Sequence, residues 1–483
     1  MKKRFFALIM ALVLILGFIP TTFAAYNVSD RVKIGIRYGS SSQERQSLYS
    51  TTGSFDFARL GEYEATFATL GTYGVSVTSS TSYLVVEQSY FPSLNAAHEY
   101  CKRSDRLIPY IIDGNICAVF DELYTDYDIN LYLESAKVFN PTAFVIEPDE
   151  NLIKVYDGDG YGIFLFRQTE ISRLGINASY GGLVDFGDNE TYRGIIELYK
   201  KNGNFNLISN VTMQEYLYSV VPSEIGASAP LEAQKAQAVC ARTYFEENIN
   251  KHKSDGFSLC NTTHCQVYSG TKKEHESTTE AVNSTYNQIL TYKGKPISAV
   301  YFAHSGGRTA NSEHVWVSAL PYLTSVEDKY CTDLTWEVTI NLSEFTTKMN
   351  NKGYNLGNIT SIEITNITDY GMVTEIKVNG TNGSKTFSKD NIRSVLGVKS
   401  QHFTIPVFKD SLIAQAAIYL LDSLNISHSL KSGQDGTVTI VGKGNGHTVG
   451  FSQHGAMKYA EEEGWDYITI LKHYYQGVTI EGE

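Results

Sequence analysis

The sequence predicts an α+β protein: a small α/β region over residues 26–170, then a β-rich domain over 171–483 that carries a helical cleft motif. Three observations carry this reading. Residues 83–120 alternate strand and helix signals. From Ile171 to Ser209 short strands are separated by Gly and Asn turns. Thr212–Tyr244 then reads as helix, turn, helix. With 42% hydrophobic residues, a chain of 483 residues can build two or three domains.

Lys2, Lys3 and Arg4 precede an apolar run from Phe5 to Ile19, followed by Pro20 and the small-residue exit Thr22-Phe-Ala24-Ala25. The run is short for a spanning helix of ~20 residues. Residues 1–25 are therefore expected to be a secretory signal cut after Ala24 or Ala25, with retention as a membrane anchor the other outcome. The signal holds no cysteine for lipid attachment. The protein is expected to act outside the cytoplasm. Its formal charge of −12, more negative once the signal is removed, excludes nucleic acid as a partner. The 33 Tyr and 23 Phe suit a protein that handles sugars as well as they suit aromatic-rich cores.

In order along the chain, Val32–Tyr38 and Tyr83–Glu87 read as strands. Ser93 caps a helix through Lys102, and Leu107–Ile112 and Ile116–Phe120 return as strands. This β-α-β-β order resembles the sporulation-related repeat, a wall-glycan-binding module. Three short strands are expected between Thr142 and Gln168, two of them joined by the turn Asp157-Gly-Asp-Gly160. Cys101 and Cys117 could pair across a helix and a strand in an oxidising compartment.

After Tyr180-Gly-Gly182, strands are expected over Tyr192–Glu197 and Phe205–Ser209. Thr212-x-x-Glu215 forms a capping box that opens a helix over Glu215–Val221, with Pro222 as its stop. A turn holding Glu224 and Gly226 follows. Pro230 suits the first turn of a second helix, which Ala-rich sequence carries to about Glu247. At about 100° per residue, Leu231, Ala238 and Phe245 make one apolar stripe, and Lys235 and Arg242 fall within it. A buried cation is costly unless it meets an anion. The two cations therefore either snorkel out of a core seam or face a cleft that receives something negative. Glu224 lies among Val220, Val221, Pro222 and Ile225. Apolar neighbours disfavour its ionised form and make it a general acid near neutral pH. Its other reading is a carboxylate satisfying backbone N–H groups at a helix start.

Cys260, His264 and Cys265 are close enough to share one ion, and His252 is the nearest fourth ligand. Thiolate and imidazole together suit zinc. A Cys260–Cys265 disulfide is the alternative after export. Cys240, mid-helix among alanines, reads as a small buried residue. A helix over Thr278–Val282 and strands over Gln288–Tyr292 and Ile297–Phe302 follow. Tyr301-Phe-Ala-His-Ser-Gly-Gly307 ends a strand in a hydroxyl and two glycines. Adjacent strand residues point to opposite faces, so His304 and Ser305 make a poor base–nucleophile pair.

Near the C-terminus, the strand Val438–Val441 runs into Gly442-Lys-Gly-Asn-Gly-His447-Thr-Val-Gly-Phe-Ser-Gln453-His454-Gly-Ala456, and a helix leaves it through Glu463. Too few residues follow Gly450 for a dinucleotide-binding βαβ unit. The glycines are expected to let His447, Gln453 and His454 crowd into a groove.

From about 171 to 483 the chain resembles the stage II sporulation protein D family, which shares a domain with the LytB-type amidase enhancers. The resemblance rests on Glu215-Tyr-Leu-x-x-Val-Val-Pro-Ser-Glu224 and Pro230–Tyr244. It continues in Cys265-Gln-Val-Tyr-Ser-Gly270, in Ser305-Gly-Gly307 with Val315-Trp316 and Pro321-Tyr-Leu323, and in Gly444–Ala456. It implies a lytic transglycosylase that cuts peptidoglycan glycan strands already stripped of stem peptides. An N-acetylmuramoyl-L-alanine amidase is the implied partner. Glu224 falls at the position of the catalytic acid, and Lys235 and Arg242 at positions lining the cleft. With Gln237, Ser305, His447, Gln453 and His454 they make up the expected substrate-binding set. Some members carry zinc on His and Cys residues between these blocks.

That chemistry explains why one carboxylate suffices. Glycosidases that use water normally need two. A lytic transglycosylase uses the C6 hydroxyl of the same muramic acid, already tethered beside the reacting carbon, and leaves a 1,6-anhydro end. Glu224 can protonate the glycosidic oxygen and then, as carboxylate, take the hydroxyl proton. Lys235 and Arg242 are expected to meet the lactyl carboxylate of denuded muramic acid. The competing reading is a non-catalytic amidase enhancer or wall-binding protein with the same domain.

Overall fold

Val32, Ile34 and Ile36 are buried at every second position, and the strand they form, Arg31–Arg37, organises the fold around the site. In the computed structural model, which describes residues 26–61, 64–187, 190–406 and 436–482, it pairs antiparallel with Asn204–Thr212. Arg31 lies opposite Thr212, the residue that caps the next helix. On its other side the strand runs parallel to Leu259–Cys260, with Gly35 opposite Cys260. One N-terminal strand thus borders both the helix that carries Glu224 and the loop that carries the cysteines. The expected signal, residues 1–25, lies outside the described residues.

The architecture is α+β and strand-rich. A seven-stranded sheet runs Leu259–Cys260, Arg31–Arg37, Asn204–Thr212, Ile195–Lys201, Ser172–Ala178, Phe55–Gly61, Ala65–Leu70. A ten-stranded sheet joins Thr191–Tyr192 and Val184–Asp185 to eight strands from before residue 170, ending at Phe144–Ile146. Residue 170 therefore does not divide one sheet from another, because both large sheets take strands from either side of it. Their main core likewise runs from Val28 to Val478. A separate core does exist further on. Strands and helices between Thr335 and Lys443 close around Trp336, Phe345, Ile376 and Ile440.

Within the ten-stranded sheet, Tyr83–Gln88, the helix Leu94–Cys101, Leu107–Ile112 and Asn115–Leu123 follow the expected β-α-β-β order. Ser93 caps the helix by accepting the N–H of Ala96. A further helix, Asp126–Phe139, has no counterpart in the sequence reading. Only its Ala136 is fully buried, so it carries almost no apolar stripe to detect. Cys101 and Cys117 are both free.

The capping-box helix spans Met213–Glu224, with Thr212 and Glu215 bonded reciprocally. Pro222 lies inside its last turn instead of ending it. There the missing N–H forfeits one bond, and the Ser223 hydroxyl donates to Ser219 O at 2.7 Å. The second helix, Leu231–Asn248, is central. Residues on all of its faces are buried between Ala233 and Glu246. It packs against Met213–Glu224, Glu276–Ser284, Gln453–Glu462 and Tyr467–Tyr474. Its alanines let those neighbours approach, and a single apolar stripe does not describe it.

Candidate functional site

Glu224 is the last residue of the capping-box helix. It lines a cavity of about 340 Å³ together with Ile225, Ala303, His304, Asp333, Leu334, Gln453, His454 and Met457. Its carboxylate accepts the backbone N–H of Val267 at 2.8 Å. Burial raises its pKa above the usual carboxylate value, and the Val267 N–H and the Tyr301 hydroxyl only partly offset that. Behind it runs a chain of buried donors: Tyr216 Oη donates to Gln266 Oε1 at 2.8 Å, and Gln266 Nε2 to Tyr301 Oη at 3.1 Å. Tyr301 comes from the strand Tyr301–Phe302, which pairs parallel with Phe451–Ser452 and so brings Gln453 and His454 alongside. Gly444 (φ +79°) allows the close passage of this glycine loop over residues 304–306: a Cβ there would stand 2.8 Å from His304 O.

Of the seven expected substrate-binding residues, Gln453 and His454 line the cavity with Glu224. Gln237 stands behind them, its Oε1 accepting from Gln453 Nε2 at 3.1 Å. The other four lie elsewhere. Arg242 is fully buried and donates through Nη1 to Gln288 O at 2.9 Å. Burial pulls its pKa down to about 10 against the field of Glu246. It faces the core, since a helix wrapped on every side leaves its position no cleft. Lys235 pairs with Glu232 at 2.7 Å and sits 5.9 Å over the Tyr467 ring. The Ser305 hydroxyl is buried and donates to Asp328 at 2.7 Å. His447 accepts the Val449 N–H at Nδ1, so its Nε2–H donates to Tyr301 O at 3.0 Å. Burial lowers its pKa to about 4, and it acts as a strut that holds Tyr301 in place.

His252, Cys260, His264 and Cys265 converge. Their ligand atoms all lie within 4.8 Å of one another, a group able to hold a metal ion. His264 Nδ1 is 3.3 Å from His252 Nε2, 3.6 Å from Cys260 Sγ and 3.5 Å from Cys265 Sγ. His252 stacks on Phe257, and Asp255 lies 3.4 Å from its Nδ1, turning Nε2 toward the cluster. Burial opposes ionisation of Cys260, but hydrogen bonds from Thr262 and Tyr38 outweigh it and bring the thiol to about 5. Burial pushes Cys265 up to about 11. Both thiols are free, so the disulfide alternative is not taken.

A family model described as stage II sporulation protein matches residues 201–292, the stretch from the strand before the capping box to beyond the cysteine loop. Stage II sporulation protein D of Bacillus amyloliquefaciens is 35% identical over 292 residues, which cover 56% of this chain and 75% of that protein. The chain belongs to the stage II sporulation protein D family. An uncharacterized protein of Brachyspira hyodysenteriae is 32% identical over 292 residues, 60% of this chain and 72% of its own length. An amidase enhancer of Bacillus subtilis is 31% identical over 294 residues, 55% of this chain and 40% of its own length.

In this member of the stage II sporulation protein D family, four residues around Glu224 escaped the sequence reading as site residues: Val267, Tyr301, Asp333 and His304 in its cavity role. Gln266-Val267 directly follows Cys265, and a polar residue locked beside two ligand-type cysteines is the signal that could have found them. Asp333, its side chain 70% exposed on a loop, gives no sequence signal at all.

Proposed function

We propose that this chain is a peptidoglycan lytic transglycosylase, acting outside the cytoplasm on glycan strands stripped of stem peptides, with Glu224 as its catalytic acid. The observation that carries the reading is the raised pKa of Glu224 on the wall of a cavity. A carboxyl whose proton is held more tightly than usual can give it to the glycosidic oxygen as the bond to C1 breaks. Asp333, the other carboxylate on this cavity, is bound by His304, and that bond holds it below the usual carboxylate range. Glu224 is therefore the acid. The tethered C6 hydroxyl then closes on C1 and leaves a 1,6-anhydro end, so no water nucleophile is required.

His252, Cys260, His264 and Cys265 would hold zinc. Ligand atoms around a tetrahedral zinc stand roughly 3.3–3.8 Å apart, and the three distances from His264 fall in that range. Four protein ligands leave no open position, so the ion would fix the loop and take no part in bond breaking.

The amidase enhancer of Bacillus subtilis among the relatives supports a second reading, a non-catalytic partner of an N-acetylmuramoyl-L-alanine amidase. Incubation of the purified chain with amidase-treated peptidoglycan separates the two. Anhydro-muramic products absent from Glu224→Gln support the enzyme; amidase stimulation without such products supports the enhancer.

A further inference from the structure

One wall of the Glu224 cavity carries a cluster that the reaction above leaves without a task. Asp333 Oδ1 lies 2.9 Å from His304 Nε2 and 3.6 Å from His454 Nε2, and the two imidazole rings stand 4.9 Å apart. Three such side chains could hold a cation. The hydrogen bonds argue against it. The backbone N–H of Gly306 donates to His304 Nδ1 at 3.1 Å, so the proton of the neutral ring sits on Nε2 and is given to Asp333. A metal at Nε2 would need that nitrogen's lone pair, and the ring would have to lose Gly306 or become an anion. His304 is a donor that fixes Asp333.

His454 approaches the same oxygen of that carboxylate. Its backbone N–H donates to Ala303 O at 3.0 Å, which pins the first turn of the helix Gln453–Glu462 against the strand carrying Tyr301. Its Nε2 is buried and makes no hydrogen bond among the described residues, and Asp333 Oδ1 stands 3.6 Å away, close enough to pair with a charged imidazole. With its proton on Nε2, the side nearer Asp333, the ring would keep the lone pair on Nδ1. The side chain remains 28% exposed and lines the cavity beside Glu224. Burial and the neighbouring His304 lower the pKa of His454, which favours its neutral, basic form.

Resting on the transglycosylase reading, the geometry points to His454 as the base that takes the proton of the attacking C6 hydroxyl, with Asp333 as its positioning residue. The step balances. The C1–O4 bond breaks with its electron pair on O4, which receives the Glu224 proton. The O6–C1 bond forms as the O6 proton passes to His454 Nδ1. Asp333 stabilises the resulting imidazolium. Solvent then removes the proton from His454 and returns one to Glu224. The labour assigned above to one carboxyl is thus divided between two groups.

The test uses the metal-loaded exported chain on amidase-treated peptidoglycan in ¹⁸O-water, with products followed by mass spectrometry. His454→Ala is expected to lower kcat about 10²–10³-fold while KM stays close to wild type. Added imidazole restores part of the rate, and no ¹⁸O enters the new ends. His454→Gln, closer in shape, guards against misfolding and is expected to lose as much. Asp333→Asn is expected to lower kcat in the same direction without rescue by imidazole. The inference is overturned by unchanged kcat in both His454 variants, by a loss that imidazole does not repair, by ¹⁸O in the products, or by loss of a second metal equivalent from His454→Ala. A wild-type chain that makes no anhydro product overturns the transglycosylase reading as well. One that makes it while His454→Ala matches it overturns this inference alone.

Discussion

Val267 donates its backbone N–H to Glu224 at 2.8 Å, and it stands two residues after Cys265 of the four-residue cluster. The loop that gathers the cysteines therefore also sets the position and the proton affinity of the acid. Gln266, between them, ties the same loop to Tyr216 and Tyr301. A metal held by this cluster would therefore be linked to Glu224 through three consecutive residues of backbone, with no residue of the cluster lining the cavity.

Removal of the metal should act at a distance. One equivalent of zinc per chain is expected, and Cys260→Ser should abolish its retention. Asp255→Asn, which loosens the orientation of His252, should weaken zinc affinity about 10–100-fold. Metal content and competition with a chromophoric chelator measure both. Chelated protein should melt at a lower temperature and lose cleavage activity together.

The pH dependence follows from the raised pKa of Glu224. Activity needs the protonated carboxyl, so kcat/KM should fall as pH rises through a value above the usual 4.5. The sign for stability is the same. A carboxyl that binds its proton more tightly when folded stabilises the fold below its unfolded pKa, and that contribution is lost as pH rises through the folded one. Glu224→Gln should remove this dependence from the melting curve.

Arg242 separates a core role from a cleft role. Arg242→Met removes a donor from Gln288 O and a cation from the neighbourhood of Glu246, which keeps the Ser29 N–H and the Tyr26 hydroxyl. A loss of about 1–3 kcal/mol in denaturant unfolding is expected, with KM for denuded glycan unchanged. A raised KM at unchanged stability would return Arg242 to the substrate.

Ser305 should behave alike. Ser305→Ala takes one donor from the fully buried Asp328, which retains Tyr474 Oη at 3.1 Å. The expected cost is about 1–3 kcal/mol in stability, read by urea denaturation, with cleavage rates otherwise those of wild type.

How far the sequence could be read depended on the range of the interaction. The Thr212–Glu215 capping box is a contact across three residues and was plain in the string of letters. The four clustered His and Cys residues lie between 252 and 265, near enough for type and spacing to group them. Pro230 at a helix start is a local matter of one missing N–H. The role of Arg242 was not legible, because periodicity finds a helix with one buried face and the Leu231–Asn248 helix is buried on all of them. The pairing of Arg31–Arg37 with Asn204–Thr212 spans most of the N-terminal half and leaves no mark in either segment's composition. Asp333 meets His304 and His454 only because a loop, a residue just past a strand end and the first turn of a helix close on one cavity, and no spacing rule connects them.

The most direct test of the central claim is mass spectrometry of amidase-treated peptidoglycan after incubation with the wild-type chain and with Glu224→Gln. The amide keeps an acceptor for Val267 N–H, so the variant should fold. The wild type is expected to yield 1,6-anhydro-muramic ends and the variant at least about 10²-fold fewer. Anhydro ends formed equally by both proteins, or by neither, would contradict the claim.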